Sequence, residues 1–234
     1  LHLDYVQQLI LESTGTTSRY PVNIVSRYRY NQDFKSIYAM VPAVIPMLLI
    51  FIPAILMALG VVREKELGSI TNLYVTPVTR LEFLLGKQLP YIALALISFV
   101  LLVIQSQIMF HVPLKGSLLA LSFGAVLYVI TTTGFGLLIS TFTSTQIAAL
   151  FGTAILTMLP TIGFSGLTTP VAALEGVSYW IGQFFPASYF LVICRGTYTK
   201  ALGFADLIPQ FIALAAFIPV LTLLSVALLR KQEK

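Results

Sequence analysis

The sequence predicts an all-α membrane protein, a polytopic helical bundle with five spans and short re-entrant helices on the outer side. Hydrophobic residues make up 57% of the chain and charged residues only 10%, whereas a soluble domain carries about 25% charged residues. Residues 36–62 and 116–174 carry no charged side chain, and a helix needs about 20 apolar residues to cross a bilayer. Composition and run length therefore favour a membrane protein over a soluble domain.

The first 35 residues are polar and differ from the rest of the chain. They include the alternating segment VNIVSRYRY, a pattern typical of a strand. The segment is too short to hold its own core, so we expect it to be the end of a water-exposed domain. Because residue 1 is Leu rather than Met, we expect the chain to be a piece of a longer protein.

Five apolar runs are long enough to span the membrane, and we place them at 36–62, 88–110, 117–139, 147–166 and 206–229. The third and fourth share one uncharged run, which we divide at the polar turn Ser140 to Gln146. The first span carries Pro42, Pro46 and Pro53 on one helical face. Since each proline removes a backbone donor, we expect this helix to be kinked or broken there.

The outer segment between the fourth and fifth spans is irregular and aromatic. Its pieces VSYWIGQFF and SYFLVICRG are too short to cross a bilayer. We expect re-entrant or interface-lying helices, with Tyr179, Trp180 and Tyr189 as residues of an aromatic belt.

Lys and Arg residues favour a cytoplasmic C-terminus. The loop 63–87 and the tail from Arg230 together hold more of them than the opposite loops, which hold Lys115, Arg195 and Lys200. Residues 1–35 hold enough basic residues to balance the count, but the rule is weak for folded domains.

The segment 63–77 is the most charged part of the hydrophobic chain. REKELGSITNLYV has the apolar spacing of an amphipathic helix, and Thr76-Pro77 should end it. The following TRLE is a capping box that opens the helix into the next span. Because the charges of the segment are mixed, docking to a protein is favoured over docking to an anionic leaflet.

The charged segment resembles the hallmark of type-2 ATP-binding-cassette (ABC) exporter permeases. The similarity also extends to FPASYFLVICRG, residues 185–196, and covers about 36–234. The chain is most similar to the C-terminal permease part of fused ATPase-permeases, including one described as ribosome-associated. The matching residues are Arg63-Glu64, Glu66, Gly68, Thr76-Pro77 and Gly86-Lys87.

The resemblance implies a six-span permease of which this chain would hold the last five spans. Residues 1–35 would end its extracytoplasmic domain, and 63–77 would be a cytoplasmic coupling helix seated on an ABC ATPase domain. The residues expected at that contact are Arg63, Glu64, Glu66, Gly68, Thr76 and Pro77. ATP and Mg²⁺ would bind the partner, a second permease copy would complete the exporter, and lipid of a bacterial inner membrane would surround it. A ribosome would be reached only through the ATPase, and no direct nucleic-acid contact is expected.

The chain itself shows no catalytic pattern, so we expect it not to be an enzyme. Gly86-Lys87 is followed by Gln88, which is not a phosphate-binding loop, and no metal-ligand spacing is present. The spans lack central charges, which disfavours a channel or an ion-coupled carrier and favours efflux of a hydrophobic or amphiphilic substrate. Weak candidates for its path are Gln105, Gln107, Thr132 and Gly134. The alternative is a membrane anchor that tethers a ribosome-associated ATPase without transport.

Overall fold

A computed structural model describes residues 36–68 and 80–229 of the 234-residue chain. Within those residues all regular secondary structure is helical. Five helices are long and apolar enough to cross a membrane, and a sixth crossing exists if one bent helix pair is counted. The helices are α1 Ser36–Glu66, α2 Arg80–Ile108, α3 Leu118–Phe142, α4 Gln146–Phe164, α5 Val177–Gln183, α6 Pro186–Thr199 and α7 Ile208–Leu229.

The predicted spans are present with shifted ends. α1 and α2 both extend further toward the segment that joins them than the spans 36–62 and 88–110, because their polar turns continue the helices. The predicted turn between α3 and α4 is confirmed, and it occupies only residues 143–145. The alternating segment VNIVSRYRY and the whole of 1–35 lie outside the described residues.

α1 and α3 form the centre of the bundle. In their most apolar stretches 50% and 56% of the residues are buried, against 22% in α2, α4 and α7. The two helices touch at Gly136, where a Cβ atom would lie 2.2 Å from the carbonyl oxygen of Ala54. Only glycine permits this approach, as expected of small residues between membrane helices.

The three prolines of α1 do not break the helix. α1 runs without interruption past Pro42, Pro46 and Pro53, and all three rings are buried in the bundle. The helix was expected to be kinked or broken at these positions, and it is not broken. Tyr128 of α3 donates to the Pro46 carbonyl at 2.9 Å and stacks on Phe190 of α6 at 4.3 Å between ring centroids.

The two short helices of the outer segment are also present. α5 and α6 meet at a bend of 67°, and Pro186 stands at the first turn of α6, where its missing N–H costs nothing. We call the end of the bundle that holds these connections the far end. The opposite end, where α1 and α3 finish and α2 and α4 begin, is called the charged end.

Candidate functional site

The last turn of α1 carries four consecutive charged residues, Arg63 to Glu66, at the charged end. The helix stops directly afterwards: the Gly68 N–H donates to the Lys65 carbonyl at 3.1 Å. Gly68 has a φ of +71°, a left-handed conformation that glycine adopts without strain at a helix terminus. The prediction of a separate helix over 63–77 is therefore wrong at its start. Residues 63–66 are the last turn of α1, and α1 ends before Gly68.

Glu64 connects α1 to α2. Its carboxylate pairs with the Lys87 ammonium, and the two side chains are 24% and 37% exposed. The Lys87 Nζ also lies 5.8 Å from the centroid of the Phe83 ring, within cation–π range. The pair therefore fixes the first turns of α2 beside the last turn of α1.

Lys65 connects α1 to the end of α3. Its Nζ donates to the carbonyl oxygens of Ser140 at 2.5 Å and Thr143 at 3.4 Å. Helices finish with carbonyls that lack an internal partner and with partial negative charge. The ammonium therefore supplies a hydrogen-bond donor to the carbonyls at the α3 terminus and a positive charge beside their partial negative charge.

Glu66 connects α1 to the start of α4. Its Oε1 accepts from the backbone N–H of Gln146 at 2.8 Å, and its Oε2 accepts from the Gln146 side-chain amide at 2.5 Å. The first N–H groups of a helix also lack internal partners and carry partial positive charge. The carboxylate thus matches the sign of the α4 terminus, as the ammonium matches that of α3.

These contacts form one arrangement, which we call the charge clamp: Glu64, Lys65 and Glu66 with their partners Lys87, the α3 terminus and Gln146. Successive residues of a helix point about 100° apart, so three neighbours in sequence reach three different helices. A shift or rotation at the end of α1 must move these partners or break the contacts. The arrangement can therefore transmit a mechanical displacement, and it offers no chemistry of bond making.

The predicted partner-contact residues divide into two groups. Glu64 and Glu66 bind within the chain, whereas Arg63 is exposed and the neighbouring Leu67 is 68% exposed. Gly68 acts as the helix terminator described above. Thr76 and Pro77 lie outside the described residues, so their role stays a prediction.

The four candidate path residues are not brought to one surface. Gln105 lines an apolar groove between α1 and α2, in a part that measures about 480 Å³, and Gln107 is exposed near the end of α2. Thr132 is fully buried and donates to the Val129 carbonyl at 3.1 Å. A Cβ on Gly134 would contact Leu221 of α7 at 3.6 Å. Thr132 and Gly134 therefore lie where helices pack, and their place on a substrate path stays a prediction.

Two polar residues that connect helices were missed by sequence reasoning. Gln88 is buried in α2 and donates to the Ile130 carbonyl at 2.9 Å and to Thr133 Oγ1 at 2.8 Å. Gln146 was seen only as the end of a turn. A polar side chain at the start of an apolar run was the one available signal for each, and it does not identify the partner.

The described part of the chain contains no group of three or more His, Cys, Asp or Glu residues that could hold a metal ion. The lone Cys194 is buried in the core to which α1, α2, α3, α6 and α7 contribute. A small apolar role fits its surroundings.

A model of the ABC-2 family of transporter proteins matches residues 3–227 of the chain. The chain is 34% identical over 180 residues to the probable multidrug ABC transporter permease YbhS of Escherichia coli K12, covering 77% of this chain and 48% of that protein. It is 30% identical over 197 residues to the probable multidrug ABC transporter permease YbhR of the same strain, covering 83% and 52%.

A third relative, the inner membrane transport permease YhhJ of Escherichia coli K12, is 25% identical over 222 residues. The chain spans about half the length of the curated relatives it matches. No solved structure matches the chain significantly.

Proposed function

The chain belongs to the ABC-2 family of transporter proteins, and from this premise we propose that it is the permease part of an ATP-driven exporter. ATP and Mg²⁺ bind a partner ABC ATPase domain, and hydrolysis there drives efflux of a hydrophobic or amphiphilic substrate through the permease. A second permease copy completes the membrane part. The protein lies in a bacterial inner membrane with the charged end and the C-terminus in the cytoplasm.

The charge clamp is the observation that carries this proposal. A permease without an ATP site needs a place where movement of the ATPase enters the bundle. The end of α1 is such a place, because Glu64, Lys65 and Glu66 contact α2, α3 and α4 from one helical turn. A displacement of this turn would therefore move α1, α2, α3 and α4 together.

The contact with the ATPase is assigned to the exposed side chains beside the clamp. Arg63 and Leu67 are exposed next to Glu64 to Glu66 in the sequence, and the segment up to Pro77 follows directly. An apolar side chain next to a cation suits an interface, where Arg and large apolar residues are enriched at the core. Glu64 and Glu66 then relay the displacement instead of binding the ATPase.

The substrate class is supported by the middle of the bundle and by the relatives. No Asp, Glu, Lys or Arg occurs in the sequence between residues 116 and 174, which includes all of α3 and α4. A strongly charged cargo would find no fixed counter-charge there. Two of the relatives are named as probable multidrug permeases, which agrees with apolar or amphiphilic cargo.

The test uses the whole permease with its ATPase in lipid nanodiscs. We would measure ATPase rate and substrate transport for the native protein and for the double variant Glu64→Gln, Glu66→Gln. We expect transport to fall at least about tenfold while basal ATP hydrolysis continues, since the relay is lost but the partner site is intact. Glu175→Gln, the same change at an exposed carboxylate of the far end, is the matched control.

A crosslink from Leu67→Cys locates the partner in the same preparation. Cys194 is buried and will not compete for the reagent. We expect a crosslink to the ATPase. Capture of lipid alone, together with unchanged transport in the double variant, would contradict the proposal. A membrane anchor would then be the favoured function.

A further inference from the structure

A concave site of about 530 Å³ lies between α5, α6 and α7, away from the charge clamp. Its floor is formed on α7, where Ala213 and Ala216 leave room for a ligand. Its wall is aromatic and is contributed by Tyr179, Trp180, Phe184, Tyr189 and Phe217. We call this site the aromatic cup.

Two rings of the cup are largely exposed and are not buried by packing inside the bundle. Trp180 is 61% exposed and Phe184 is 70% exposed, while their rings lie 6.1 Å apart and nearly parallel, at 19°. The contrast is with Tyr128 and Phe190, which stack at 4.3 Å and are fully buried. The cup therefore offers free π faces.

The wall is held in place by one hydrogen bond between its two short helices. The Tyr189 hydroxyl donates to the Gln183 backbone carbonyl at 2.8 Å, which ties the end of α5 to α6. On the other side, the Tyr189 ring lies 6.1 Å from the Phe217 ring of α7. The cup is thus a preformed site made by three elements.

The depth of the cup separates it from an ordinary aromatic belt. Its residues on α7 run from Ala213 to Val220, and α7 begins at Ile208. At 1.5 Å per residue they lie roughly 8 to 18 Å along the helix from its far end. Belt residues lie at the ends of spans, at headgroup level, whereas this part of the lining lies further along α7.

The chemistry of the lining selects a class of ligand. Aromatic faces attract cations, and the attraction reaches about 2 kcal/mol or more where water is excluded. The lining contains no Lys or Arg to repel a cation and no Asp or Glu to demand a hydrated one. A volume of about 530 Å³ lies within the range of small-molecule sites.

We propose that the aromatic cup binds a lipophilic organic cation, one whose charge is spread over or shielded by apolar substituents. Such a cation pays little to leave water, so it can reach the depth of the cup, and the π faces then stabilise its charge. The ligand is a free amphiphile. The site does not depend on ATP coupling, so binding and transport can fail separately.

The test compares two ions of the same shape and opposite charge. Radiolabelled tetraphenylphosphonium and tetraphenylborate would be equilibrated by dialysis against the whole protein in neutral detergent micelles, with empty micelles as the blank. We expect saturable binding of the phosphonium. In the variant Trp180→Leu, Phe184→Leu that binding should weaken about threefold to thirtyfold, from the range of cation–π energies.

Two further variants decide the outcome. Phe151→Leu removes a ring of similar exposure from α4 and should leave binding unchanged. Ala216→Leu, on an exposed position of α7, fills the floor and should abolish it with an unchanged melting temperature. Equal loss for both ions in the ring variant, or no saturable phosphonium binding, would overturn the proposal.

Lipid competition tests whether the cup takes a free amphiphile. Displacement of the phosphonium by neither phosphatidylethanolamine nor phosphatidylglycerol supports the proposal. Displacement by phosphatidylethanolamine alone would place a lipid headgroup in the cup and contradict it. Equal displacement by both would mean that acyl chains fill the cup, which contradicts a cation site.

Discussion

At the charged end of the bundle, side chains of one helical turn contact three other helices. At the far end, backbone hydrogen bonds, aromatic rings and the Arg195 side chain join the helices and loops. The far end is joined by the Gly116 N–H, which donates to the Thr197 carbonyl at 2.7 Å. Arg195 donates from two nitrogens to the carbonyls of Gly166 and Leu167 at 2.7 and 2.9 Å. Phe123, Phe204 and Phe211 add three mutual ring contacts.

The difference lies in what happens when a contact opens. The Glu64–Lys87 pair is partly exposed, and water can replace either partner at a small cost, since such pairs contribute about 0–1 kcal/mol. Polar groups of the far end are also paired in the core, where the Tyr198 hydroxyl and Ser106 Oγ lie 2.7 Å apart. A buried group left without a partner costs about 1–3 kcal/mol. The charged end is thus suited to reversible change and the far end to holding its shape.

The largest expected effect comes from the core that both ends share. Gly136→Ala places a Cβ against the Ala54 backbone, so we expect a loss of about 3 kcal/mol in the free energy of unfolding. Reversible denaturation in mixed micelles measures it. Gly152→Ala is the control, because nothing lies within 4 Å of its added carbon. Equal effects in the two variants would show that helical glycine alone, and not the α1–α3 contact, sets stability.

Arg195→Met tests the far end. The change leaves two carbonyls after α4 without their donor, and we expect about 2 kcal/mol of destabilisation. The same denaturation measurement applies, with the exposed Arg63→Met as the control for loss of a positive charge. A loss no greater than that of the control would mean that water replaces the guanidinium freely, and the proposed contrast between the ends would fail.

Lys65→Met tests the charged end by the same logic. Here the α3 carbonyls lie near the polar end of the bundle, so we expect a smaller loss of about 1 kcal/mol in the free energy of unfolding. The loss combines the missing hydrogen bonds and the missing charge at the helix terminus. Lys115→Met, an exposed lysine at the far end, is the matched control. A loss larger than that of Arg195→Met would reverse the ranking of the two ends.

The smallest expected effect is the response to salt. A double-mutant cycle of Glu64→Gln and Lys87→Met should give a coupling energy of about 0.5 kcal/mol at low salt. It should fall toward zero in about 1 M NaCl, where charges are screened beyond about 3 Å. The effect of Arg195→Met should not change over the same range. Salt-independent coupling between Glu64 and Lys87 would show that this pair is more protected than its exposure indicates.

Much of the fold could be predicted from the sequence. Uncharged runs predicted the five spans, because a bilayer accepts only helices with satisfied backbones, and the polar turn placed at Ser140 to Gln146 marked a real boundary. The prolines of α1 were harder to interpret. Their effect depends on the packing around each ring, which a single helix does not specify.

The candidate site was located by sequence, but its contacts were not. The run Arg63 to Glu66 stood out by charge alone. Nothing in it indicated that Lys65 would meet the end of α3 or that Glu66 would meet Gln146, because these partners are 75 to 80 residues away along the chain. Glu64 and Glu66 were predicted to contact a partner, and the structure adds that they contact helices of their own chain.

What the sequence determined by itself is the helical membrane class, the number of long spans and the position of the charged turn, because these follow from composition along one chain segment at a time. The tertiary structure alone decided that α1 and α3 meet at Gly136, that one turn of α1 reaches α2, α3 and α4, and that aromatic rings converge in a cup beside α7. Those features depend on which distant surfaces fit together, and helix packing selects among many combinations that leave local patterns unchanged.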